Sequence, residues 1–67
     1  MNRKELVEEL IKLEADFDEL CKKQKDVIEK MDANINDDKV FIKCLNDFKD
    51  INKEIDENRE KFWKLVN

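Results

Sequence analysis

Two runs of apolar residues recur every three and four positions, and they constrain the fold more than any other feature of the chain. The first is Leu6, Leu10, Leu13, Phe17, Leu20, Gln24, Val27 and Met31. The second is Phe41, Cys44, Phe48, Ile51, Ile55, Asn58, Phe62 and Leu65. Each has the alternating spacing of a heptad seam, abcdefg with a and d apolar, and each is interrupted by one polar residue (Gln24, Asn58). With Leu10 and Phe41 at position a, both seams keep register for about four heptads.

Terminal signals agree with two helices. Asn2 with Glu5 three residues later forms a capping-box pattern with Asn as the cap. The stretch "DANINDD" separates the seams, with Asn34 able to close the first helix in a left-handed conformation. Asn36 or Asp37 can cap the second. The expected helices are 3–33 and 37–66, joined by a turn at 34–36 in a single domain spanning 1–67. A short turn between equal helices favours an antiparallel hairpin. The fold class is therefore all-α: a coiled-coil-like two-helix hairpin, expected to pair into a four-helix bundle.

Charge then selects a register. Setting Leu13 beside Phe62 makes the flanking g positions Asp16–Lys61, Lys23–Glu54 and Lys30–Asp47, all of opposite sign. The flanking e positions become Val7–Val66, Glu14–Arg59, Cys21–Asn52 and Ile28–Leu45. Sliding by one heptad puts Asp16 against Glu54 and Val7 against Arg59. Single exposed ion pairs are worth only about 0.2–1 kcal/mol, but together they separate registers that bury similar apolar area. The turn would suit a register about a turn shorter, so the second helix must overhang the first by about a turn, or the first must run past Asn34. Gln24 and Asn58 form polar layers, either as solvated lapses or as devices that fix register at some cost in stability.

The segment "REKFWKLVN" carries the functional hint. Phe62 is an a residue and belongs to the seam. Trp63, about 100° further round the helix, falls at b on the side that carries the e positions. In an antiparallel hairpin both helices present e to the same side. Val7 and Ile11 there join Trp63 and Val66 at the open end; Ile28 joins Ile42 and Leu45 at the turn end, with Cys21 between them. The g side has only Val40 as an apolar member. The expected partner-binding residues are therefore Val7, Ile11, Cys21, Ile28, Ile42, Leu45, Trp63 and Val66, and the expected partner is a second copy or another helical protein.

Composition narrows the chemistry. The chain has no His, Ser, Thr or Tyr, so the usual hydroxyl nucleophiles and the near-neutral general base are missing. Charged residues make up 48% of the chain at a net charge of −4; their mixed signs and the periodic apolar residues fit helices better than disorder. "DANINDDKVFIK" places Asp32, Asn34 and Asn36 where a calcium loop has ligands. Its sixth position holds Asp37 in place of Gly, however, and its twelfth holds Lys43 in place of Glu, so it reads as a turn. Cys21 and Cys44 form no metal pattern and lie about 15 Å apart along the hairpin, beyond disulfide reach. No catalytic residues, cofactor, metal, small-molecule substrate or membrane contact is expected. Lacking an apolar leader segment at "MNRKELVEEL", the chain is expected to be cytoplasmic with reduced thiols.

The expected function is a non-enzymatic protein–protein interaction module: a small regulator, adaptor or chaperone acting through the apolar lateral face. The alternative is an RNA-binding hairpin dimer. In architecture the chain resembles the plasmid-encoded Rop family, helical-hairpin dimers whose exposed helix face binds RNA, which would make RNA the partner. No sequence motif of that family is matched. Lys22, Lys23, Lys25, Lys49 and Lys53 are interleaved with Asp18, Glu19, Asp26, Asp47 and Asp50 rather than gathered into a stripe for phosphates. The small hairpins that dephosphorylate sporulation response regulators are a second architectural comparison; their Ser-Gln-Glu-Leu-Asp signature has no counterpart near "KCLNDF".

Overall fold

A computed structural model describes residues 2–67. It contains two helices, α1 (Arg3–Ala33) and α2 (Asp38–Val66), and no strand among the described residues. They fold back on one another as an all-α hairpin measuring 52 × 15 × 11 Å.

The ends of α1 follow from local hydrogen bonding. The Asn2 side-chain oxygen accepts from the Glu5 N–H at 2.8 Å, and the Asn2 amide donates back to the Glu5 carboxylate at 3.1 Å. This reciprocal pair completes the capping box with an asparagine. At the other end the expected left-handed cap is not formed. Asn34 has φ −126° and ψ 35°, and no described residue has a positive φ. Its backbone N–H donates to Met31 O at 3.1 Å and its side-chain amide donates to Lys30 O at 2.8 Å. Two exposed carbonyls are thus satisfied by one residue, with no need for a glycine-like conformation.

The turn is one residue longer than expected. Asp37, not Asn36, caps α2: its carboxylate accepts from the Val40 N–H at 3.2 Å, and Asp38 adds a negative charge to the first turn, where the helix dipole favours it. Asp32, Asn34 and Asn36 are therefore spent on a helix end and a connection, with Asp37 as a cap.

Across the hairpin, Leu13, Phe17, Asn58 and Phe62 line one groove, as the register with Leu13 beside Phe62 requires. The core is thin. Leu13, Cys44 and Ile55 are the buried apolar residues, and Cys44 is the most enclosed at 2% exposure. A small side chain at a d position lets the helices approach closely there.

The two polar interruptions of the seams each bond to the opposite helix. Asn58, 8% exposed, donates from its amide to the backbone carbonyl of Leu13 at 3.1 Å. Solvation is therefore the wrong reading of Asn58: it is desolvated and satisfied across the seam. Gln24, half-buried, donates to the Asn52 side chain at 2.7 Å.

The expected g-side ion pairs do not close. Asp16, Lys23, Glu54 and Lys61 do share a groove, but Lys23 pairs with Glu19 one turn away at 4.0 Å. Lys12–Glu9 and Lys64–Glu60 are likewise within one helix, at 3.9 and 3.6 Å. A partner three or four residues away on the same helix is already in reach, whereas bridging two helices immobilises two long solvated chains for little gain.

Candidate interaction surface

All four g-side charges just named sit on the opposite flank from Trp63. The e flank is built differently. At the open end, Leu10, Leu13, Phe17 and Phe62 line an apolar groove bordered by Glu14 and Arg59, two e residues. At the turn end, Ile28, Met31, Ile35, Phe41, Leu45 and Phe48 line a second, with Asp32 at its rim. Both grooves open toward the side that carries e and b. The seam is one layer deep, so its large side chains show through on whichever flank lacks long charged neighbours.

The expected contact residues divide accordingly. Val7, Ile11, Trp63 and Val66 are exposed at the open end, Trp63 by 54%. Ile28, Ile42 and Leu45 are exposed at the turn end. Cys21 is half-buried between the two groups, and both cysteines are free thiols. Trp63 is not tucked between the two arms. Its ring meets Phe62 edge-on, with centroids 5.9 Å apart and planes at 74°, a favoured aromatic geometry. The indole is held in place by its neighbour while its outer side faces water.

Three apolar residues belong to this surface that sequence reasoning assigned elsewhere. Phe17 and Phe62 were expected inside the seam but are 38% and 40% exposed. Phe17 shares the open-end groove with Asn58, whose amide turns to the Leu13 carbonyl. Ile35, in the turn, is more exposed than any other large apolar side chain described. Heptad position e at Ile35 was the available signal, hidden by the assignment of that residue to a loop.

No protein-family model matches the chain, and comparison with curated proteins and with solved structures returned no match.

Area gives the scale of the uncovered surface. A folded monomer of 8.1 kDa exposes about 4,500 Å² by the usual mass scaling, while this hairpin exposes 5692 Å², roughly 1,200 Å² more. The excess follows from the elongated shape of the hairpin, 52 × 15 × 11 Å, in which two helices cover one another on one side only. Among the described residues, no group of three or more His, Cys, Asp or Glu side chains is arranged to hold a metal ion, and no helix is long and apolar enough to cross a membrane.

Proposed function

We propose that the chain is a non-enzymatic helix-docking module that acts through its e flank. Helices of a partner cover the two apolar grooves, and the assembly is a four-helix bundle when that partner also presents a helical pair. Its biological role on this reading is that of a small regulator, adaptor or chaperone working by helix-on-helix contact within the cytoplasm. The observation that carries the proposal is the asymmetry of the flanks: both apolar grooves open on the side of Trp63, and the opposite side is lined by charge. Tryptophan is enriched among residues that dominate binding energy, and this one is presented on a rigid helix.

Replacing Trp63 with Ala tests the reading. Because the indole is outside the hairpin seam, the variant keeps its helicity by circular dichroism. Association, followed by sedimentation equilibrium, weakens by about 2 kcal/mol or more, the loss typical of an interface anchor. Unchanged association in the variant removes Trp63 and its flank from the interface.

RNA binding receives less support. Phosphate recognition calls for a stripe of one sign, and the exposed flank carries alternating acidic and basic bands.

A further inference from the structure

Between its apolar ends, the e flank carries an ordered belt of charge. Asp18 on α1 and Asp56 on α2 lie at one level of the hairpin. Lys25 and Lys49 lie at another, seven residues or about 10 Å further along. Cys21 and Asn52 lie midway, a height fixed by the hydrogen bond from Gln24 to Asn52. All four charged residues are exposed, and none takes part in an ion pair among the described residues. The flank thus reads acid, neutral, base on both helices at the same heights.

From this belt we infer that the occupant of the flank is a second copy of the chain, turned end for end, with its two-fold axis crossing the face at the level of Cys21 and Asn52. This inference rests on the proposed role of the flank and specifies its partner. Two symmetric arrangements bury the apolar ends. With the two-fold axis along the helices, the turns coincide and α1 lies on α2 of the copy. Asp18 then meets Asp56 and Lys25 meets Lys49, each twice by symmetry. With the axis across the helices, α1 lies on α1 and α2 on α2 in opposite directions. Asp18 now meets Lys25 of the second copy and Asp56 meets Lys49, again each twice.

In the first arrangement Glu14 also meets Arg59 of the copy, twice, so four repulsions stand against two attractions; in the second all four contacts of the belt are attractions, and the balance of charge favours it. In the second arrangement Trp63 reaches the level of Ile42 of the copy, and Val7 that of Ile35. Glu14 and Arg59 lie over Ile28 and Leu45, where their aliphatic stems can cover apolar surface.

Cys21 makes the arrangement measurable. An axis between residues 21 and 22 holds Cys21 of each copy about 1.5 Å apart along the helix direction, so the two thiols face one another. In the parallel arrangement Cys21 faces Asn52. The full chain is oxidised with diamide at a concentration where sedimentation shows the assembly, and the linked peptides are identified by mass spectrometry. Three further versions accompany it. The first is Cys21→Ser with Asn52→Cys, the second is an equal mixture of that protein with the unaltered chain, and the third is Cys21→Ser with Lys53→Cys, an outward-facing control.

The inference predicts that Cys21 links to Cys21, and the thiol at position 52 to its own copy, roughly tenfold or more faster than the control, as expected of thiols held at millimolar effective concentration. A link that forms only in the mixture, between positions 21 and 52, overturns the inference in favour of copies pointing the same way. A dimer in which neither position links faster than the control overturns it too, while leaving the role of the flank standing if Trp63→Ala still weakens assembly. A chain that sediments as a monomer up to millimolar concentration excludes a second copy as the occupant.

Discussion

At the residue scale, Asn58 shows how a break in a pattern becomes a structural device. Its amide reaches a backbone carbonyl on the other helix at 3.1 Å, and a carbonyl already used within its helix has a second lone pair to accept it. The bond needs a backbone carbonyl within reach of position 58, so a slip that takes Leu13 O away without bringing another carbonyl into its place would bury an unsatisfied amide at a cost of about 1–3 kcal/mol. Two substitutions separate stability from register. Asn58→Ala is expected to lower the free energy of unfolding by about 1–2 kcal/mol in urea titrations, through the lost bond and the space left behind. Asn58→Leu is expected to retain stability but to give a mixture of species by sedimentation, because only the weak flank charges and the Gln24–Asn52 bond then oppose a slip. A single sharp species with Asn58→Leu would show that the seam and flank charges fix the register without it. The identity of the polar position was legible in the sequence; its partner was not, because a backbone carbonyl leaves no mark on a heptad pattern.

At the scale of elements, the helices and their ends follow closely from local chemistry. Asn2 with Glu5 forms the capping box, and the second helix starts at an aspartate cap. Removing the latter with Asp37→Ala should cost about 0.5–2 kcal/mol, visible as a lower denaturation midpoint with an unchanged slope. A change within about 0.2 kcal/mol would mean that the cap is replaced by water at no loss. What the sequence did not disclose at this scale was the closing of α1. Asn34 was expected in a left-handed conformation on the strength of its propensity, whereas its side chain reaches back to Lys30 O and removes the need. The ion pairs went the same way: sign complementarity across the g flank was readable, but Lys23 turns to Glu19 of its own helix and the other expected partners stay apart. Side-chain entropy, which no pattern of signs records, decides such contests.

The whole molecule is a pair of helices with one thin seam. Its apolar residues are too many for that seam and too orderly to be accidental. Two helices can enclose a narrow stripe of side chains, and among the described residues only Leu13, Cys44 and Ile55 are buried apolar ones. Phe17, Phe62 and Ile35 join the lateral surface because a two-helix layer has no third element to cover them. That outcome follows from the thinness of the fold rather than from any one residue, which is why heptad letters alone assigned the phenylalanines to the interior. The lateral asymmetry itself was readable from positions b and e. The chain contains a single tryptophan, placed on the flank in question, and its emission reports directly whether that flank is covered. The assembled protein is expected to emit at a blue-shifted wavelength, and dilution through the association range should move the maximum to that of an indole in water, in step with the loss of the sedimenting complex. Emission characteristic of an exposed indole at every concentration, with helicity intact, would contradict a covered flank.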